Sequence, residues 1–384
     1  MWPATSVFSY LHLSAYENRH GLRNAIQLRN SHYKIEKFAN AKGDFNLTII
    51  RNWGKLSPQT FSIAMESEAP LMRVIRDGNM RYMVADEKGE VGAVLSGKFK
   101  KSMESGEDAP CVGDWVQVQS RPDSNDDVVI ETIMPRETCL RRKNAGTGMD
   151  IQNMAANVDT VFICTSINDD LNPRRIERFG IIASGSGADT VIVLTKADLV
   201  DDPKSIADEL QKRLGNTLVL TVNSSDEDGY SSVKDLMRPH KTYALIGSSG
   251  VGKSTLINGL MGEEIMHTSA VRDDDKGRHT TTHRQMLRTP DGHILIDMPG
   301  VREVQLYSDT NALNLAFEDI SDLADRCKFG DCTHESEPGC AVNKAIDSGE
   351  IDPDRLMNYK KMLREMDAYW KKKGHGKYKS KRKR

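Results

Sequence analysis

Three short groups of residues carry chemistry on this chain. Gly247-Ser248-Ser249-Gly250-Val251-Gly252-Lys253-Ser254-Thr255 contains the pattern G-x-x-x-x-G-K-[ST]. Such a loop turns its backbone N–H groups inward around phosphates, at the positive end of the helix that follows. Lys253 would reach the β and γ phosphates, and the Ser254 hydroxyl would ligate Mg²⁺. Thr195-Lys196-Ala197-Asp198 is a second group. The Asp198 carboxylate can accept from guanine N1–H and the 2-amino group, which adenine lacks, and the Lys196 stem can lie along the base. Alone, T-K-x-D describes any exposed Lys–Asp pair; beside a phosphate loop it reads as a base reader. Third, Cys327, Cys332, His334 and Cys340 gather three thiols and an imidazole within fourteen residues. That donor set suits one tetrahedral, structural Zn²⁺ with no open position for catalysis.

The order of the first two groups is informative. In an ordinary GTPase the phosphate loop precedes the base reader; here the base reader leads by about fifty residues. The nucleotide domain therefore reads as a circular permutation, which preserves a site set by spatial position. Many GTPases have Asn where Thr195 stands. One hydroxyl replaces an amide, so a weaker loop brace is expected.

Asp297-Met298-Pro299-Gly300 fits D-x-x-G, with Asp297 able to hold a Mg²⁺ water and the Gly300 N–H able to meet the γ phosphate. Between the motifs lies Gly277-Arg278-His279-Thr280-Thr281-Thr282-His283-Arg284. Thr281 is the expected Mg²⁺ ligand of this first switch, with Thr280 and Thr282 as register alternatives. Val301 stands where Ras-type proteins carry the water-orienting Gln. Valine cannot orient water, so the group must come from elsewhere; His279 is the nearest candidate. Thr217 to Val222 is an expected strand ending in Asn223-Ser224, where the backbone would buttress guanine.

The elements needed to position these groups can be traced along the chain. Lys241 to Ile246 predicts the strand before the phosphate loop, and Lys253 to Met261 the helix after it. Asp189 to Leu194 is a near-continuous apolar run, as in a buried parallel strand. Val158 to Cys164 predicts a further strand, Arg174 to Ala183 and Pro203 to Leu214 predict helices, and Arg284 to Arg288 with Ile294 to Ile296 a strand pair. The pattern is a doubly wound sheet. Before it, Arg81 to Ala85, Val91 to Leu95, Asp114 to Val118 and Val128 to Ile133 are short runs parted by turn residues, which suits an OB-type barrel. Residues 1–70 show no sustained period. After the metal cluster, Leu356, Tyr359, Leu363, Met366 and Trp370 form one apolar stripe on a helix over Asp354 to Lys373. Cys111, Cys139 and Cys164 lie in strand-like contexts and are expected in the core.

With 384 residues there is room for two or three domains. The formal net charge of −2 conceals an uneven distribution: Lys371 to Arg384 holds nine cations and no acid. Such an arm favours a phosphate backbone as partner. No apolar run long enough to span a bilayer occurs. Val7 to Tyr16 lacks a preceding basic region and is interrupted by Ser and His, against a signal peptide. Six cysteines without a scaffold-like distribution, together with a nucleotide site, point to the cytoplasm.

Together these marks resemble the ribosome small-subunit-dependent GTPases of the RsgA or YjeQ type. The resemblance rests on the permuted order, NVDTVFI at Asn157 to Ile163, Thr195 to Asp198, GSSGVGKSTLIN at Gly247 to Asn258, DDDKGRHTTTHR at Asp273 to Arg284, Asp297 to Gly300 and the Cys-Cys-His-Cys cluster. It covers about residues 71–370. The family's D-T-P-G stands here as D-M-P-G. The chain is expected to be multidomain: an N-terminal extension (1–70), of which residues 1–45 have no counterpart in the family, an OB-type β-barrel (71–140), a circularly permuted α/β P-loop GTPase domain (141–305), a C-terminal helical zinc-binding module (306–370) and a basic tail (371–384). The resemblance implies a GTPase that binds the small ribosomal subunit and its rRNA near the decoding region late in maturation, is stimulated by that subunit, and leaves on hydrolysis of GTP to GDP. A monomer is expected. Two other readings compete: an RNA-binding module holding GTP as a structural ligand, and a permuted GTPase of large-subunit assembly, which would lack the leading barrel and this zinc cluster.

Overall fold

The computed structural model describes residues 11–13, 25–28, 34–39, 45–51, 53–67, 69–78, 80–120, 126–143, 151–168, 171–215, 217–226, 228–266, 284–298 and 310–372. The chain begins with a meander of β1 (Leu11–Leu13), β2 (Ala25–Leu28), β3 (Lys34–Ala39), β4 (Phe45–Arg51) and β5 (Gly54–Leu56), each antiparallel to the next. Helix α1 (Pro58–Glu66) follows, with Pro58 in its first turn and the Ser57 side chain accepting from Thr60 N. The sequence shows no period here because strands of three to seven residues are too short to register one.

A barrel follows: β6 (Leu71–Gly78), β7 (Arg81–Asp86), β8 (Gly89–Leu95), α2 (Gly97–Ser102), β9 (Trp115–Val118) and β10 (Val128–Ile133). Strand order is β6-β7-β8-β10-β9, and β9 pairs back onto β6 to close it. Only β8 and β10 run parallel, in the register Ala93↔Val128. This is the five-stranded OB-type arrangement. Met72, Val74, Val84, Val116, Val118 and Ile130 fill the barrel. Strand β6 is buried on both faces: Leu71 packs with Leu56, Ala64, Trp115 and Met134 on the α1 side.

After the hairpin β11 (Cys139–Lys143) and β12 (Ile151–Ala156), the chain enters the nucleotide-binding sheet. Its elements are β13 (Thr160–Ser166), α3 (Pro173–Ser184), β14 (Asp189–Thr195), α4 (Pro203–Leu214), β15 (Leu218–Thr221), α5 (Ser231–Leu236), β16 (Thr242–Ile246), α6 (Lys253–Met261), β17 (Gln285–Arg288) and β18 (Ile294–Asp297). The order is β15-β14-β13-β16-β18-β17, parallel except for β17. Apolar strands such as Val191 to Leu194 are buried on both faces, as helices on each side require. Asn172 and Asp202 cap α3 and α4.

Barrel and sheet are joined through Arg73, which is 1% exposed. Its guanidinium donates to the carbonyls of Gly113 (3.0 Å), Trp53 (2.6 Å) and Asn157 (3.0 Å), and lies over the Trp115 ring. Thus a single buried cation satisfies carbonyls from the barrel, the N-terminal segment and the connector. The chain ends in α7 (Thr310–Ala316), α8 (Glu318–Ala324), α9 (Ala341–Asp347) and α10 (Pro353–Lys372). Within the predicted apolar stripe Leu356 and Met366 are buried, but so are Arg355 and Asn358 on the same helix. Cys111, Cys139 and Cys164 are buried.

Candidate functional site

Strands β14, β13 and β16 are neighbours, with Ser166 opposite Thr195 and Ile163 opposite Ile246. Their carboxyl ends therefore deliver the base-reading loop and the phosphate loop to one rim, where open α/β sheets bind ligands. The two motifs, reversed in sequence, touch. The Thr195 hydroxyl donates to the carbonyl of Val251 in the phosphate loop, and the Thr165 carbonyl lies 3.2 Å away as a second acceptor. One hydroxyl thus braces the loop from below.

Gly250 and Gly252 have φ of 78° and 94°, in the left-handed region. Gly247 has no room for a side chain: a Cβ there would sit 2.2 Å from the Cys164 carbonyl oxygen. Lys253 is 8% exposed, and its ammonium donates to the carbonyls of Gly247 (2.8 Å) and Ser248 (2.7 Å). Burial lowers the Lys253 pKa, while Cys164 and Asp297 pull it back up. Asp297 ends β18 opposite Leu245 of β16, beside the root of the phosphate loop. Burial raises its carboxyl above the usual range and Lys253 lowers it. Ser254 and Thr255 are partly exposed at the start of α6. A hydroxyl and a buried carboxylate flanking a lysine fit Mg²⁺ held with a nucleotide triphosphate.

On the base side, Lys196 adopts a left-handed φ of 59° and Asp198 is exposed. Ala197 N donates to Val222 O at 3.1 Å, tying this loop to the turn after β15. In that turn the Asn223 side chain accepts from Ser225 N and donates to Asp226, leaving Ser224 exposed. Sequence reading missed Tyr230. Its ring covers Gly259 of α6: a Cβ on Gly259 would lie 2.3 to 2.5 Å from three ring carbons. The base-side turn is thereby packed on the phosphate-loop helix. A glycine inside a helix is the signal that could have found this contact. His279, Thr281, their alternatives Thr280, Thr282 and His283, and Gly300 and Val301 lie outside the described residues.

The ligand atoms of Cys327, Cys332, His334 and Cys340 lie within 4.8 Å of one another. Cys327 and Cys340 Sγ are 3.8 Å apart, and His334 Nδ1 is 3.6 Å and 3.4 Å from them. Two Zn–S bonds of about 2.3 Å at a tetrahedral angle part the sulfurs by about 3.8 Å, so the donor set fits Zn²⁺. His334 is held with φ of 57°, and Lys360 of α10 donates to its carbonyl at 2.9 Å. The Glu337 carboxylate accepts from Thr333 N, Thr333 Oγ1, Glu335 N and Ser336 N, closing the turn that carries His334.

Comparison with known proteins agrees with this geometry. The family model described as RsgA GTPase matches residues 133–307. The Small ribosomal subunit biogenesis GTPase RsgA of Methanosarcina acetivorans is 44% identical over 282 residues, covering 73% of this chain and 76% of the relative. The crystal structure of YjeQ from Thermotoga maritima superposes with a TM-score of 0.58 at 27% identity, covering 77% of this chain and 98% of that one. The structure of YloQ, titled a circularly permuted GTPase, shares the fold with a TM-score of 0.57 at 22% identity, covering 82% and 99%. Among the described residues no helix is long and apolar enough to cross a membrane. With a match to the family model across its nucleotide domain and 44% identity to a relative over 73% of its length, the chain belongs to the RsgA GTPase family.

Proposed function

We propose that this protein hydrolyses GTP and acts as a late maturation factor of the small ribosomal subunit, bound to rRNA until hydrolysis releases it. The observation that carries the reading is the Thr195–Val251 hydrogen bond, which joins base reader and phosphate loop despite their reversed order. Relatives 41–44% identical to this chain carry the name small ribosomal subunit biogenesis GTPase. In this reading Asp198 selects guanine, Lys196 flanks the base, and the Asn223-Ser224 turn buttresses it. Gly247 to Thr255 enclose the phosphates, and Lys253 neutralises charge growing between the β and γ phosphates. Ser254 and Thr281 would hold Mg²⁺ with Asp297 in support, and the Gly300 N–H would meet the γ phosphate. Bound Mg²⁺ supplies further charge neutralisation at the phosphates. Cys327, Cys332, His334 and Cys340 would hold one structural zinc per chain. Domain boundaries near residues 70, 140, 305 and 370 accompany this assignment, as do a monomeric state and a cytoplasmic location.

Multiple-turnover phosphate release with and without small subunits tests it, with Lys253→Ala as the inactive control. Stimulation of the wild type by small subunits, absent with large subunits, is the expected result. GTP binding without turnover under either condition would favour GTP as a structural ligand of an RNA-binding module.

A further inference from the structure

Two local rules are broken where one contact forms. Gly259 lies inside α6, where any residue but proline would favour the helix more. Tyr230 stands at the start of α5, where Ser, Thr, Asp or Asn would cap the helix, and its side chain makes no capping bond. The two misfits meet. A Cβ on Gly259 would lie 2.3 Å from Tyr230 Cζ and 2.4 and 2.5 Å from its Cε2 and Cε1, so the hydroxyl end of the ring rests on bare helix backbone. Local rules given up together at one contact mark a tertiary or functional demand. Tyr230 also continues the base-side turn. Gly229, just before it, presses on Asn223: a Cβ there would sit 1.6 Å from the Asn223 carbonyl oxygen, and Asn223 N donates to Gly229 O at 3.3 Å. Asn223 follows Val222, whose carbonyl accepts from Ala197 N of the base-reading loop at 3.1 Å. Burial raises the Tyr230 phenol above its ordinary range, and the Asp198 carboxylate raises it further, in keeping with a ring on the guanine side of the site. A continuous path thus runs from the base reader through the turn to the phosphate-loop helix.

We infer that Tyr230 is a positioning residue for guanine: seated on Gly259, its ring sets the height of the Asn223-Ser224 turn over α6 and so fixes the base against Asp198. The physical reason is that a nucleotide is held at two ends. Its phosphates are held from the loop before α6, and its base from the loops after β14 and β15. The spacing between those ends depends on what separates the base-side turn from α6, and the Tyr230 ring lies there. A rigid ring closed down on a glycine leaves the turn little freedom, so the base side is ordered before the nucleotide arrives. The γ phosphate lies at the other end of the nucleotide, so the effect falls on affinity and base choice and not on the chemical step. The inference rests on the reading of Asp198 as the guanine selector in the function proposed above.

The test uses the full-length protein: equilibrium binding of GDP, IDP and ADP, thermal unfolding, and GTP hydrolysis with small subunits. IDP differs from GDP only in lacking the 2-amino group that donates to Asp198, so the GDP/IDP affinity ratio reads how well the base is seated. Tyr230→Ala is expected to lower GDP affinity about tenfold and to narrow that ratio about threefold or more, raising KM while kcat at saturating GTP stays within about twofold of wild type. Tyr230→Phe, which keeps the ring, should retain both affinity and ratio. Gly259→Ala favours the helix by itself but drives a methyl into the ring, so it should also weaken GDP binding and narrow the ratio. Once the ring is gone that methyl displaces nothing, and Tyr230→Ala combined with Gly259→Ala should bind GDP no worse than Tyr230→Ala alone. Wild-type affinity and ratio in both single alanine variants would overturn the inference. So would equal losses of GDP and IDP affinity together with a lower melting temperature, which would mark a merely structural contact. If the wild type binds ADP as tightly as GDP, the guanine reading itself fails and the inference falls with it; if wild type and variants all prefer GDP alike, only the role of Tyr230 is lost.

Discussion

Arg355 and Glu177 meet at 3.2 Å where α10 crosses α3, with side chains only 2% and 1% exposed. Arg213 of α4 and Asn358 of α10 also bond to Glu177, while Arg355 reaches Asp319 at 2.7 Å and lies over the Phe317 ring. The last helix is thus bolted to the two helices that flank the base-reading strand. The helices around the Cys/His cluster, which follow β18 in sequence, are anchored in space to the helices beside β13, β14 and β15.

Arg355→Ala should therefore be severely destabilising. It leaves Glu177 and Asp319 buried or half-buried with fewer partners, and breaking such a pair costs about 3–5 kcal/mol. Denaturant unfolding of the variant should show the loss. An unchanged midpoint would mean that the remaining Arg213 and Asn358 bonds suffice.

This network explains where sequence reading stopped. The elements with an unbroken apolar run or a cap were legible: α6 spans Lys253–Met261 and α4 Pro203–Leu214, as their patterns predict. The phosphate loop and the Cys/His cluster were legible because their residues are local in sequence. Glu177, Arg355 and Arg73 were not, since a charged residue on a helix or strand reads as solvent-facing unless its distant partners are known. The β11–β12 hairpin was hidden too, because its register rests on contacts with the barrel: Ala156 N donates to Val112 O.

Thr195→Val removes the hydroxyl that bonds to the Val251 carbonyl while keeping the branched shape. A buried carbonyl left unpaired costs about 1–3 kcal/mol. GDP affinity should fall roughly tenfold, and Thr195→Ser should retain it. Isothermal titration decides; equal affinity in Thr195→Val would mean that the brace does not hold the phosphate loop.

Asp198→Asn exchanges a carboxylate that accepts twice from guanine for an amide that accepts once. GTP binding should weaken and XTP binding should strengthen relative to it, because xanthine offers a carbonyl at position 2. Competition between GTP, ATP and XTP reads this directly. A preference for GTP as strong as in the wild type would remove Asp198 from the base site.

Metal analysis should find one zinc per chain, lost in Cys332→Ser. The donors span only the segment between α8 and α9, so chelation should loosen the C-terminal module before nucleotide affinity changes. Hydrogen exchange at α8 and α9, followed alongside GDP binding, separates the two. Loss of GDP affinity at the same chelator concentration would show that the metal supports the nucleotide site as well.

The last prediction concerns how hydrolysis is switched on. Val301 carries no group able to orient water, so the free protein should turn over slowly. In the proposed mechanism the missing group arrives when the small subunit is bound, and the prediction is that the His279 imidazole supplies it. A positioned acid–base group contributes about a hundredfold to ten-thousandfold. His279→Ala should therefore keep GTP affinity and subunit binding but lose most of the stimulated rate. Removing the tail after Lys373 should do the converse. Nine cations lie in Lys371 to Arg384, and a chain without most of them should bind subunits more weakly, with a flatter salt dependence. The basal rate should be left alone. If His279→Ala is stimulated as strongly as the wild type, the water is oriented by His283 or by a group on the ribosome, and the same assay with His283→Ala distinguishes those two.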